Sequence, residues 1–163
     1  MADMPVTYRD QGQALFSLNV PDFWTASAGG QRTVTASETG EARLINRVIS
    51  LQPKTEPRVW VGFMSPNGIR TRDEAISYLS DIGAFIVRDP VLTDQKRISV
   101  GGRPAERFSG TGRRNGRGVN FTALLIALPG NRVAVSISVI EDGADPELVN
   151  DINAIYASFR AVN

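Results

Sequence analysis

Arg103-Pro-Ala-Glu-Arg-Phe-Ser-Gly110, Val119-Asn-Phe-Thr-Ala-Leu-Leu-Ile-Ala-Leu128 and Arg132-Val-Ala-Val-Ser-Ile-Ser-Val-Ile140 decide the fold. They are three strand-like runs parted by Arg113-Arg-Asn-Gly-Arg-Gly118 and Pro129-Gly-Asn131. Asn-Gly and Pro-Gly pairs between such runs signal hairpins, because residues that tolerate positive φ match the twist of two adjoining strands. Three consecutive antiparallel strands are expected. In the last of them Val133, Val135, Ile137 and Val139 share one face, while Ala134, Ser136 and Ser138 supply small groups on the other. Large on one side and small on the other suits a strand with a helix pressed closely against one face. The next residues offer that helix: Asp145 as cap, Pro146 at the first position, Glu147 next, then Leu148, Ile152, Ile155 and Phe159 at helical spacing.

Toward the N-terminus, Ala14-Leu-Phe-Ser-Leu-Asn-Val20 alternates, with Phe16, Leu18 and Val20 on one face, and Pro21 ends it because proline cannot donate to a ladder. The aromatic pair Phe23-Trp24 reads as a core plug, with a ligand platform as the alternative. Residues 29–40 are rich in Gly, Ser and Thr and read as a loop with a short strand at 33–36. Leu44–Leu51 and Arg58–Met64 are two further strands joined across Pro53 and Pro57, and Trp60 and Phe63 read as core. Thr71-Arg-Asp-Glu74 matches a capping box, so a helix is expected from about Thr71 to Ile82, showing Ala75, Leu79 and Ile82 on one face and stopping at Gly83. Ile98-Ser-Val100 would add one short strand. Strands outnumber helices and mostly follow one another, so the class is α+β, an antiparallel sheet with helices against it. One domain is expected over residues 1–163, with the first eight or so flexible.

Composition excludes more than it assigns. Hydrophobic content of 42% and charged content of 21% are ordinary, and no apolar run approaches the roughly 20 residues that span a bilayer. A formal charge of +1 gives no global pull toward nucleic acid. Of 18 basic residues all but Lys54 and Lys96 are Arg, a bias that a GC-rich genome explains as readily as a function. Cys and His are both absent, which removes thiolate nucleophiles, disulfides, Cys/His zinc sites and imidazole acid–base chemistry together. Met1-Ala-Asp-Met-Pro-Val-Thr-Tyr8 has neither a basic n-region nor an apolar h-region. The chain is therefore read either as cytoplasmic or as a mature domain whose leader has been removed.

Phe16-Ser-Leu-Asn-Val-Pro-Asp-Phe-Trp24, Val100-Gly-Gly-Arg-Pro-Ala105 and the terminal helix closing on Ser158-Phe-Arg160 together resemble the Mog/PsbP/DcrB-like superfamily. The first run looks like its "F-S-hydrophobic-x-hydrophobic-P-x-x-W" opening, and the second like its "V-x-G-x-P-A" strand entry. The resemblance covers nearly the whole chain in element order. It implies an α/β/α sandwich around a central antiparallel sheet and, since bacterial members are commonly exported, a periplasmic or secreted location. It implies no shared catalytic residues, because the superfamily holds photosystem assembly subunits, a nuclear transport cofactor, envelope lipoproteins and secretion chaperones. The chain lacks the His residues with which some photosystem members bind metal, which argues against a metal-binding role.

Arg113, Arg114 and Arg117 are the sharpest local feature, guanidinium groups at a hairpin tip where Gly116 and Gly118 keep the backbone accessible. Arginine forks suit carboxylate or phosphate, so an acidic partner is one reading and a solvated, aggregation-resistant turn the other. Glu141, Asp142, Asp145 and Glu147 gather oxygen ligands near a helix start, but their spacing is not that of an EF-hand, and acids there are stabilising anyway. Gly101-Gly-Arg-Pro and Gly110-Thr-Gly lack the Gly-Lys-Ser/Thr ending of a phosphate loop. The expectation is a non-enzymatic interaction or assembly module of the bacterial cell envelope with no cofactor and no metal. Its partner would be a protein or a membrane-associated molecule, bound through a sheet face or the arginine hairpin. The alternative is a small-ligand or lipid-binding domain with a pocket between sheet and helix, lined by Trp24 or Trp60.

Overall fold

Residues 3–10, 13–29, 32–35, 42–45, 48–56, 58–65, 69–114 and 116–162 are described by a computed structural model of the chain. In chain order they form β1 (Asp3–Asp10), β2 (Gln13–Pro21), β3 (Trp24–Gly29), β4 (Arg32–Thr35), β5 (Ala42–Ile45), β6 (Val48–Pro53) and β7 (Val59–Met64). Helix α1 (Arg72–Ile86) follows, then β8 (Arg88–Val100), β9 (Arg103–Arg114), β10 (Arg117–Leu128), β11 (Arg132–Glu141), helix α2 (Glu147–Ala157) and β12 (Arg160–Ala161). Seven strands make the main sheet in the order β3-β6-β7-β11-β10-β9-β8; β1-β2-β12 form a second sheet, and β4 pairs with β5. All pairings are antiparallel.

The hairpin meander forms as its turns dictate. Gly116 and Gly130 take φ of 75° and 77°, with Asn131 at 56°, the left-handed values that these tight reversals require. The resulting register sets Ser109 opposite Thr122 and Thr122 opposite Ser138, so residues two apart on each strand fall on the same face. Alternate residues then divide into two apolar clusters. Val119, Ala123, Leu125, Val133, Val135, Ile137 and Val139 pack with Ala75, Ile76 and Leu79 of α1 on one face. On the other, Leu124, Ile126, Ala134, Val61 and Phe63 pack with Leu148, Ile152, Ile155 and Phe159 and with Phe16, Leu18 and Val20 of the second sheet.

The layers differ from a simple α/β/α sandwich. One face carries α1, whereas the opposite face carries α2 together with the three-stranded sheet, so the molecule is dominated by antiparallel sheet. As the Ala134/Ser136/Ser138 pattern indicates, α2 lies on the small-residue face, where short side chains let the helix approach. Phe16 is the aromatic hub, with ring centroids 4.9 Å from Tyr8, 5.0 Å from Phe159 and 6.1 Å from Phe63. Each such ring, fully buried, contributes about 1.5–3 kcal/mol by transfer from water.

The motifs behind the family resemblance meet in space. Gly101 sits at φ 57° where a side chain would overlap the carbonyl of Phe159, so the Val100-Gly101 turn closes directly on the end of α2. Ser158 Oγ donates to the Ile155 carbonyl at 2.6 Å and accepts the Asn19 amide at 2.8 Å, joining the helix end to β2. Arg160 then donates to the carbonyls of Ala157 and Phe159, satisfying acceptors that the helix leaves open.

Several elements depart from the sequence reading. Of the first eight or so residues, expected to be flexible, 3–8 belong to strand β1, which pairs along β2. Strand Leu44–Leu51 is divided between β5 and β6, residues 46 and 47 lying outside the described residues, as do 36–40 of the expected loop, Pro57 and Asn115. The capping box forms, with the Glu74 amide donating to Thr71 Oγ1 at 3.2 Å and the Thr71 amide to Glu74 Oε1 at 3.1 Å. Helix α1, however, continues through Gly83 to Ile86, because packing on the sheet outweighs the ~1 kcal/mol that glycine costs within a helix. Ala75 is fully buried as expected and Leu79 packs beside it, while the Ile82 side chain lies outside the described residues. Asp145 Oδ1 accepts the Glu147 amide at 3.0 Å, so it caps α2, although the helix begins at Glu147 rather than Pro146. Ile98–Val100 proves to be the end of the 13-residue edge strand β8. Of the aromatic pair, Trp24 is the plug at 1% exposure, and Phe23 is exposed.

Candidate functional site

The arginine hairpin does not present its three guanidinium groups together. Arg114 and Arg117 pair across the β9–β10 turn on the α1 face, and Arg113, one residue earlier, points to the other. Arg114 lies over the Trp60 ring, 5.8 Å from its centroid. Gly62 makes that stacking possible, since any Cβ there would collide with the indole lying across it. Arg117, largely exposed, reaches Glu141 at 4.0 Å. Arg113 is exposed and stands directly opposite Arg88 of β8. Beside it on the same edge, Val91 and Leu92 are more than half exposed. The hairpin corner therefore combines two cross-strand arginine pairs with an apolar edge.

A second feature was not located by the sequence reading. Between the main sheet and α2 lies a cavity of about 350 Å³, floored by Arg107, Ser109, Thr122, Leu124, Ser138 and Ile140 and walled by Val149, Ile152, Asn153 and Tyr156. The hydroxyl residues Ser109, Thr122 and Ser138 form one row across β9, β10 and β11. Arg107 stands beside that row, one guanidinium nitrogen 3.5 Å from Asp94 Oδ2. Its Nε is buried and has no acceptor among the described residues. A buried donor left unpaired costs about 1–3 kcal/mol. Neither tryptophan expected at such a pocket lines it. Trp24 is sealed in the core, its Nε1 also without an acceptor among the described residues, and Trp60 faces the α1 side.

The remaining charges serve as ties between elements. Glu106, 9% exposed, receives Arg72 of α1 at both oxygens, Nη2 to Oε2 at 3.0 Å, and Gln95 of β8 at 3.0 Å. The Arg72 guanidinium holds the Glu106 carboxyl below the usual carboxylate range, against the opposing effect of burial. Glu141 is buried, and Asp145 caps its helix. Among the described residues, no group of three or more carboxylates is placed to hold a metal ion. No helix among them is long and apolar enough to cross a membrane.

This architecture recurs in solved structures of low sequence identity. LpqN of Mycobacterium tuberculosis, involved in cell envelope biogenesis, is 14% identical over 99% of this chain and 91% of its own, with a TM-score of 0.52. Cyanobacterial PsbP from Synechocystis is 10% identical over 97% of this chain and 92% of its own, TM-score 0.51. The chain has the Mog/PsbP/DcrB-like fold. The T6SS immunity protein TplEi of Pseudomonas aeruginosa shares this PsbP-like architecture at 9% identity, over 90% of this chain and 94% of its own, TM-score 0.54. No protein-family model and no curated protein matches the sequence. At such identities the PsbP-like fold is what is shared, and any activity has to be argued from this chain's own surface.

Proposed function

We propose that this PsbP-like domain is a non-enzymatic interaction module of the bacterial cell envelope that docks an acidic protein surface at its hairpin corner. The observation that carries the reading is the register: Arg88 opposite Arg113 and Arg114 opposite Arg117. Arg113 and Arg117 are exposed there, and guanidinium forks gathered by the strand pairing suit carboxylates on a partner. The exposed Val91 and Leu92 on the adjoining edge supply apolar area for the same contact. The absence of Cys and His supports a role without thiolate or imidazole chemistry. The involvement of LpqN in cell envelope biogenesis supports the compartment, and with it an exported chain.

The test is capture from an envelope extract with the wild-type domain and with Arg113→Ala/Arg114→Ala/Arg117→Ala, both confirmed folded by circular dichroism. A protein retained by wild type and lost by the triple variant, with retention falling as salt rises, is the expected result. Equal retention by both would remove the hairpin from the interface. Retention of nothing would overturn the interaction reading.

A second reading, binding of a small ligand or lipid between sheet and helix, is favoured by the cavity against α2.

A further inference from the structure

The cavity under α2 is polar where an all-apolar interface would be expected. The strand positions that face a packed helix ordinarily carry aliphatic side chains, as Leu124, Ile126 and Leu128 do further along the same face. At this end of the sheet those positions are Arg107, Ser109, Thr122 and Ser138, while Ile98, Val100, Leu124, Ile140 and Ile152 surround them with apolar surface. The volume of about 350 Å³ lies within the range of ligand sites, roughly 300–1,000 Å³. Exposed Asn153 and Val149 on α2 stand at the rim.

We infer that this cavity binds a single-chain amphiphile with an anionic head, the head held by Arg107 and the Ser109/Thr122/Ser138 hydroxyls and the tail laid along Leu124, Ile152 and Val149. Charge complementarity selects the head. Arg107 lines the cavity, its buried Nε has no acceptor among the described residues, and its contact with Asp94, at 3.5 Å, is a loose one. The Arg107 side chain is 37% exposed, so the rest of its fork can hold a carboxylate or phosphate oxygen, while hydroxyl donors lie in the adjoining row. Arg107 therefore determines specificity for charge, and the aliphatic floor supplies affinity in proportion to tail length. This inference rests on the second reading above and narrows it to one class of ligand.

Calorimetric titration of the whole domain with decanoate, decanol, decyltrimethylammonium and acetate separates the two ideas. Decanoate is expected to bind at least tenfold more tightly than decanol or the cationic amphiphile, and acetate not measurably. Arg107→Gln should erase the preference for decanoate while leaving decanol binding unchanged. Asn153→Trp, a substitution at an exposed rim position that leaves the core intact, should block both ligands. Binding of decanol and decanoate with equal affinity would overturn the anionic head but keep a ligand site. Binding of no amphiphile, or binding indifferent to Asn153→Trp, would overturn the site itself.

Discussion

The hydroxyls of Tyr156 and Ser136 lie 2.9 Å apart, and Ser136 Oγ donates onward to the Gly62 carbonyl at 2.9 Å. This relay joins α2 to β11 and β7 across the small-residue face. Tyr156→Phe removes its first link but leaves Ser136 bonded to Gly62, so it should cost about 1 kcal/mol, read as a lower urea midpoint at unchanged slope. Ser136→Val, which adds bulk beneath the helix, should cost more, about 1–3 kcal/mol.

Gly101 offers a test of the turn that closes on α2. Its φ of 57° and the Phe159 carbonyl at the place a Cβ would occupy both oppose a side chain. Gly101→Ala should destabilise by more than about 1 kcal/mol. Gly102→Ala, also at positive φ but with open space around it, should cost less. Thermal unfolding of the two variants side by side decides the point.

Phe16 touches three other aromatic rings in the core beneath the second sheet. Phe16→Ala should cost about 3–5 kcal/mol and expose the space between β2 and α2, measurable by chemical denaturation and dye binding.

The alkaline limb of stability should report on Tyr78. Burial pushes its pKa from 10.0 to about 12, and its hydroxyl donates to Met64 Sδ at 3.3 Å. A group whose folded pKa is raised contributes stability that is complete below the unfolded value and is lost as pH climbs through the folded one. Melting temperature should therefore fall between about pH 10 and 12, and Tyr78→Phe should flatten that fall.

On the acid side the direction reverses. Glu106 is held below its usual range by Arg72, so its contribution is complete above the unfolded pKa and disappears as pH falls through the folded one. Glu106→Gln should shrink the acid loss of stability and loosen α1 from β9, detectable as faster amide exchange in the first turn of the helix.

The meander and α2 are legible in the sequence because Gly116, Gly130 and Asn131 are turn residues with no alternative use, and because alternation on one face of β11 is unbroken. Strand β8 is not, since almost all of Arg88–Val100 is exposed at an edge and neither face imposes an apolar period. Its positive-φ Asp89 and two register shifts blur it further. Helix α1 overran Gly83 because a local stop signal cannot register the sheet beneath. The arginine hairpin was visible as composition, but its division between two faces follows from strand parity, which needs the exact pairing of Arg114 with Arg117. The cavity leaves only a faint mark in the sequence: Ser109, Thr122 and Ser138 are single polar residues on adjacent strands. Only the register aligns them into one row, and only the place where α2 lands turns the row into a floor.

The short β12 gives the domain an order in time. Arg160 and Ala161 pair with Ser17 and Phe16, so the free edge of β2 is closed by residues far downstream of it in the chain. A chain emerging from its N-terminus, whether from a ribosome or through a translocation pore, holds that edge and the Phe16 ring without their final cover until residue 161 arrives. Synthesis can complete the meander before this lock arrives, and until then a nascent domain is vulnerable at β2.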